Sequence, residues 1–419
     1  MKVVMLVTAS ENGIAGHHFS VRDLATEFRA AGIDLRLVVV KVDESHASKA
    51  LQGQEHETIG ANFLGVGAMR SLAKLVAREK FETVICFDEF TTRIAVAALP
   101  FHRKLIIAVK PGWINSDSWT NGVGKFVLFS KENFEYYSGR SKYQNVRTFL
   151  IPNRVSIPKT DPLLREVFYS KLPAFSPKDK IIICPVRFDR YKEVVIGQAV
   201  RLQRYLDRPD GRILLLIVGS IADRTYYEEV RKTMSTSPSI FLSHDERLTQ
   251  NLSAIIGYAD ITVGVGRTAV EALLLKKAVY IPVEGEKLPT EITAENFFLL
   301  SHYNFTQRHS DRESLVDIPV SETASNSGNN SKGVALFDLV EEHVGAAGAV
   351  SKYIAAIRGS GGKIAFPTLL ATYSISVARV IALMIRSRYR IARARAAGAS
   401  NAWWRNSVVG RKLVKGVDK

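Results

Sequence analysis

Over the first three hundred residues, short unbroken apolar runs alternate with stretches that repeat at helical spacing. The run Val3-Val4-Met5-Leu6-Val7 does not alternate with polar residues, which marks a strand covered on both faces, as in a parallel sheet. Phe19 to Ala31 then carries Val21, Leu24, Ala25 and Phe28 on one helical face and stops at Gly32. Further strands are predicted at Leu35 to Val40, Thr83 to Phe87, Leu105 to Val109, Lys125 to Ser130 and Thr148 to Asn153. Helices fall at Met69 to Arg78, from Thr91 or Thr92 to Leu99, and at Lys131 to Tyr137. Pro158 to Lys180 holds four prolines amid mixed charge and reads as a link. The pattern then restarts with strands at Lys180 to Val186, Arg212 to Gly219, Ile240 to Leu242, Ile261 to Val263 and Val279 to Ile281. Helices lie between them, and helical stretches follow at Ala294 to Leu300, Ala335 to Val344 and Val350 to Ile357. The expectation is an α/β chain of two Rossmann-like doubly wound domains facing a cleft. The boundaries are 1–157 for the first domain, 158–179 for the linker, 180–358 for the second domain and 359–419 for a basic helical tail.

The most informative stretch runs from Tyr258 to Leu273. An apolar strand ends in Gly264 and Gly266, Arg267-Thr268 opens an amphipathic helix, and Glu271 sits one turn in. A strand, glycine turn and helix in this order aim a helix N-terminus past the carboxyl end of a parallel sheet. Unpaired N–H groups and the positive dipole end bind phosphate there, and glycine lets a diphosphate approach the backbone. Arg267 and the Thr268 hydroxyl would add donors, and Glu271 could accept from a ribose diol. A buried βαβ unit with an exposed helix-start acid accounts for the same residues equally simply.

Composition narrows the picture further. A 46% hydrophobic content over 419 residues is that of a globular chain. Cys86 and Cys184 each lie inside an apolar run, reading as reduced core residues, and no His/Cys spacing resembles a metal site. The N-terminus enters a strand directly, without the apolar region of a signal peptide, so a cytoplasmic location is expected. The formal net charge of +16 is uneven. From Lys363 onward there are twelve basic residues against one acid, Asp418, which puts +11 in the last 57 positions. A basic tail on a near-neutral body points to an anionic partner. Thr368 to Ile385 is marginal in length for a membrane span and contains Arg379, so an interfacial helix with a basic flank fits better, and Trp403-Trp404 suits a headgroup region. A helix packed on the body with a solvated basic end is the competing reading. No base-reading module is visible, so nucleic acid is not expected. Ser321 to Lys332 is polar and low in complexity, as in a loop.

Other candidates sit after other strands. Asn12 to His18 is a glycine loop in which Gly16, His17 and His18 meet a helix start, reading either as solvated capping residues or as substrate contacts. Asp88-Glu89 follows the Thr83 to Phe87 strand, where ligands bind in such sheets, although capping the next helix explains it slightly better. Gly219 ends a strand of the second half and is grouped with the nucleotide-sugar site. Arg187 and Lys192 follow the first strand of that half and could neutralise a departing diphosphate, or be solvated loop cations.

These residues, in this order, resemble the GT-B glycosyltransferases, and most closely their retaining family 4, over about residues 1 to 300. Arg187 and Lys192 keep that family's Arg and Lys spacing after the strand opening the second domain. Gly266 and Glu271-Ala272-Leu273 match the second half of its paired-glutamate signature. Asn12 to Leu24 resembles its acceptor-side glycine loop, and Ile151-Pro152-Asn153-Arg154-Val155 its segment before the linker. Three positions depart from it. The first glutamate is Val263, the glycine after the lysine is Glu193, and Arg154 replaces the glycine after the asparagine. A catalytic-loop histidine near Phe87 is not evident. The resemblance implies a glycosyltransferase moving a sugar from a nucleotide-diphosphate sugar to a lipid-linked or polysaccharide acceptor. It implies retention, no metal and no cofactor besides the donor. Arg187 and Lys192 would be catalytic. Glu271, Gly266, Arg267, Thr268 and Gly219 would bind the nucleotide sugar, with Gly16, His17, Asp88 and Glu89 on the acceptor side. The tail would hold the enzyme peripherally on the inner face of a membrane. A non-catalytic nucleotide-sugar or scaffold protein on the same fold, or a nucleotide-sugar epimerase, are the alternatives.

Overall fold

The computed structural model describes residues 1–9, 16–42, 51, 53–61, 65–100, 102–110, 123–140, 143–176, 178–207, 211–308, 332–359 and scattered positions within 374–389. Most of the glycine loop after the first strand, the segment 111–122, the low-complexity stretch 321–331 and the end of the tail lie outside them.

The first half forms a seven-stranded parallel sheet of β1 (Lys2–Ala9), β2 (Asp34–Lys41), β3 (Glu57–Gly60), β4 (Thr83–Cys86), β5 (Ile106–Lys110), β6 (Lys125–Leu128) and β7 (Arg147–Leu150), in the order β3-β2-β1-β4-β5-β6-β7. Helices α1 (Gly16–Ala30), α2 (Val66–Glu79), α3 (Glu89–Ala98) and α4 (Lys131–Ser138) connect them. The unbroken apolar runs are explained by burial on both faces. Val4 and Leu6 of β1 enter one core with α2 and α3, while Val3, Met5 and Val7 enter another with α1. Strand β3 was not anticipated, because Glu57-Thr58-Ile59-Gly60 offers only one buried apolar residue at the sheet edge.

The second half repeats the plan after α5 (Pro162–Tyr169). Its strands are β8 (Lys180–Pro185), β9 (Ile213–Val218), β10 (Ile240–Ser243), β11 (Ile261–Val263), β12 (Ala278–Ile281) and β13 (Thr290–Glu291), in the order β10-β9-β8-β11-β12-β13, with only β12 and β13 antiparallel. Its helices are α6 (Glu193–Leu206), α7 (Arg224–Met234), α8 (Glu246–Thr249), α9 (Leu252–Ile256), α10 (Arg267–Leu274), α11 (Phe297–His302) and α12 (Lys332–Val344). The chain is therefore α/β with two Rossmann-like parallel-sheet domains.

Two segments pack differently from their sequence grouping. The proline-rich link contains α5, whose Leu164 and Phe168 join the core under β8 and β9. Pro162 takes the first helical turn, where its missing N–H costs nothing, and the Asp161 carboxylate accepts from Leu163 N. Helix α13 (Ala349–Arg358), grouped with the second domain by sequence order, lies on the first. Tyr353 meets Phe28 edge-on at 5.9 Å, and Lys125 Nζ donates to the Ile357 carbonyl at 2.6 Å, capping the helix end. In the tail, Val380 and Met384 are buried in the first domain's core beside Gly65, while Ile375, Ile385 and Tyr389 are exposed. The inner side of this stretch thus packs on the body. Among the described residues no helix is long and apolar enough to cross a membrane.

Candidate functional site

In open parallel sheets, ligands bind beyond the carboxyl ends of the strands where strand order reverses. Here those points lie between β1 and β4 in one domain and between β8 and β11 in the other. Gly16 follows β1, Asp88 follows β4, Arg187 follows β8 and Gly264 to Thr268 follow β11, so the candidates from both halves collect at the two switch points.

On the second domain, Gly266 turns the chain with φ 58°, in the left-handed region that favours glycine, and its N–H donates to the Phe305 carbonyl at 2.7 Å. Gly264 is needed for space. A Cβ there would come within 2.6 Å of the Thr268 methyl. Among the described residues no side chain caps α10, whose N-cap is Gly266. Glu271 is buried in the middle of this helix. Its Oε1 accepts from Ser253 Oγ and from Arg267 Nε, both at 2.7 Å. The Arg267 side chain is only 8% exposed. Burial opposes its charge, but the carboxylates of Glu271 and Asp23 outweigh that and push its pKa above the ordinary arginine value. The guanidinium is thus engaged with two carboxylates and is not extended from the helix start.

Beside this turn, Arg187 is about half exposed and donates to Asp189 Oδ2 at 2.8 Å. The other Asp189 oxygen accepts from Tyr191 N, shaping a short 3-10 turn before α6. Lys192 ends that turn and makes no ion pair or side-chain hydrogen bond among the described residues. Burial first, and then the Arg187 charge, lower its pKa, with Asp189 opposing. Gly219 is needed for space. A Cβ there would sit 1.7 Å from the Val186 carbonyl oxygen and 3.3 Å from Arg187 N, so this glycine lets the ends of β8 and β9 close up and sets where Arg187 begins. Val263 is fully buried in β11, so the position matching the family's first glutamate belongs to the core.

On the first domain, Gly16 opens α1 directly opposite α10. A Cβ on Gly16 would touch Arg267 Cβ and Cδ at 3.9 Å. His17 and His18 stack with ring centroids 4.1 Å apart, and His18 Nε2 donates to the Thr8 carbonyl at 2.8 Å. Burial and the neighbouring His18 lower the His17 pKa to about 4, against the pull of Asp88. Asp88 caps α3 through Thr91 N at 2.8 Å and also accepts from the Thr8 N–H and hydroxyl, clipping β1 to β4. Glu89 pairs with buried Arg93 one turn on, at 2.6 Å. Both acids therefore have structural partners.

Sequence reading missed Asp23, Ser20, Phe19 and Ser253. Asp23 accepts from Arg267 Nη2 at 2.5 Å and from Ser156 N at 3.1 Å. Ser20 Oγ donates to Asn153 Oδ1 at 2.8 Å and lies 3.4 Å from Arg267 Nη1, while Phe19 lies under the guanidinium with its ring centroid 5.6 Å away. The available signal was an acid beside the apolar stripe of α1, in register with Ser20. Among the described residues, no group of His, Cys, Asp and Glu could hold a metal ion.

No protein-family model matches the chain, and no curated protein matches it. Solved structures do. HepE of Anabaena, in complex with UDP, superposes with a TM-score of 0.55 at 12% identity, covering 84% of this chain and 98% of that one. The pneumococcal O-GlcNAc transferase GtfA, in complex with UDP and GlcNAc, gives 0.54 at 9% identity, covering 85% and 98%. A glycosyltransferase from Rickettsia africae gives 0.51 at 15% identity, covering 92% and 98%. At these identities the likeness establishes the fold, and the two-domain architecture is that of the GT-B proteins.

Proposed function

We propose that the chain is a glycosyltransferase that moves a sugar from a nucleotide-diphosphate sugar to a carbohydrate or lipid-linked acceptor. The observation that supports this is that β8, which leads to Arg187 and Lys192, and β11, which leads to the start of α10 and buried Glu271, are neighbouring strands at the switch point, with the start of α1 opposite α10. Phosphate would sit on the first N–H groups of α10, with the Thr268 hydroxyl beside it. Oε1 of Glu271 is taken by Arg267 and Ser253, which leaves Oε2 for a ribose hydroxyl. As the bond from the anomeric carbon to the diphosphate breaks, negative charge grows on the leaving oxygen. Arg187 and Lys192 would meet that charge more strongly than the ground state, and so act on rate. HepE and GtfA, which share the fold, were solved with UDP, so uridine donors are the first to try. Retention at the anomeric carbon and independence from metal follow from the family resemblance. The test is thermal stabilisation by a panel of nucleotide sugars. One donor should stabilise the wild type and not Glu271→Ala; no stabilisation by any donor would remove the assignment.

Val263 favours a second reading, in which the protein binds a nucleotide sugar without transferring it, because no carboxylate stands there to orient the sugar. Binding without release of nucleoside diphosphate in the presence of acceptor extracts would select that reading. We further propose that the tail keeps the protein peripherally on the inner face of an anionic membrane, supported by its charge and by the exposed Ile375, Ile385 and Tyr389.

A further inference from the structure

A chain of charged groups crosses the cleft. Asp23 of α1 holds Arg267 of α10, and Arg267 holds Glu271, with side chains 4%, 8% and 5% exposed. The guanidinium spends Nη2 on one domain and Nε on the other, at 2.5 and 2.7 Å. Asp23 also accepts from the backbone of Ser156, in the segment leading from the first domain to the second, and Ser20 ties Asn153 of that segment to the same helix. One carboxylate therefore touches the first domain's helix, the connecting segment and the donor-side helix.

We propose that Asp23 is a positioning residue for Glu271. Acting through Arg267, it fixes the rotamer of the donor-site carboxylate, so that the nucleotide site is complete only while the two domains are together. This rests on Glu271 as the ribose ligand. The physics follows from burial. A guanidinium this enclosed needs acceptors for its N–H donors on both sides, and a planar fork transmits orientation between its two ends. Without Asp23, Nη2 loses its acceptor on the first domain, and the guanidinium that donates to Glu271 Oε1 is held there only by the longer Ser20 contact and the Phe19 ring, so the orientation it imposes on Glu271 loosens. A second pair of contacts across the cleft provides the comparison. Arg308 meets Glu132 of α4 at 2.6 Å, and His302 lies 3.5 Å from Glu135, without touching Glu271.

The experiment uses the full chain in two parts. Without nucleotide, urea unfolding of Asp23→Asn, Glu271→Gln and the double variant forms a cycle. Asp23 and Glu271 do not touch, so a coupling of about tenfold in the unfolding equilibrium means they communicate through Arg267; additive effects overturn the proposal. With UDP as probe, Asp23→Asn should bind about tenfold more weakly, Asp23→Glu severalfold more weakly, and Glu132→Gln within twofold of wild type. If Glu132→Gln weakens UDP as much as Asp23→Asn, the effect is domain opening alone and the positioning role is wrong. Should Asp23→Asn not accumulate, Asp23→Glu decides, and wild-type affinity in it overturns the proposal. A wild type that binds no nucleotide would refute the donor reading of Glu271, while the urea cycle still decides the link to Asp23.

Discussion

Gly219→Ala should damage both stability and turnover through packing alone. Its φ lies outside the left-handed region, so alanine costs nothing in backbone conformation. The cost is space. The new methyl would fall 1.7 Å from the Val186 carbonyl oxygen, and real contacts of this kind do not come below 3.0 Å, so the ends of β8 and β9 must part by at least 1.3 Å. The obstructing atom is backbone just past the ends of two central strands, where Val186 N still donates to the Val218 carbonyl, and is not the movable end of a side chain. Overpacking of this sort costs about 1–3 kcal/mol, and more where backbone must move. The shift lands on Arg187, the next residue, and a displacement of about 1 Å at a catalytic group is worth roughly 10²-fold in rate. Gly257→Ala is the matched control, since its methyl would meet the Thr160 methyl, the end of a side chain, at 2.4 Å. Urea unfolding and donor turnover would be measured on both variants. A Gly219→Ala protein within about 0.5 kcal/mol of wild type, with unchanged turnover, would refute the packing account of the Arg187 loop.

Three further outcomes are expected. Arg267→Met leaves Asp23 and Glu271 buried without their shared cation, which should cost about 3–5 kcal/mol, read by urea denaturation; adding Asp23→Asn and Glu271→Gln to it should recover part of that loss. His343 packs against Phe297 and Phe298, and burial, followed by Arg154 and Lys352, lowers its pKa to about 4. A depressed folded-state pKa means its contribution is fully present above the ordinary histidine value of about 6.5 and is lost as pH falls through about 4. Stability should therefore decline across that window, and His343→Gln should flatten the decline in pH-dependent thermal melts. For the tail, replacing Arg386, Arg388, Arg390, Arg393 and Arg395 with Gln should release the protein from anionic liposomes in a sedimentation assay without lowering its melting temperature, and full retention would exclude the charge-driven role. Truncation from Lys363 is a poorer test, because it also strips Val380 and Met384 from the first domain's core.

The two-sheet plan was readable because doubly covered strands have a distinctive signature. β1, β8 and β9 are unbroken apolar runs, which edge strand β3 is not. The glycine turn before α10 was readable for a similar local reason, since Gly264 and Gly266 are demanded by a methyl contact and a left-handed φ within a few residues. What escaped is whatever depends on distant residues meeting. Gly219 looks like a ligand-approach glycine in sequence, and only the crossing of β8 shows that it clears a carbonyl. Arg267 looks like a phosphate donor at a helix start, and only Asp23, 244 positions away in sequence, shows where its guanidinium goes. Helix α13 follows the second domain in the chain, yet its apolar face fits Phe28 of the first.

Arg187 and Lys192 are proposed to drive departure of the diphosphate from a nucleotide sugar. Nucleoside diphosphate release from a panel of uridine-diphosphate sugars tests it most directly, with wild type, Arg187→Ala and Lys192→Ala compared at saturating donor. The wild type should release it from one donor, each variant should fall roughly 10²–10³-fold, and donor affinity should change little. Release that persists at the wild-type rate in both variants would contradict that role.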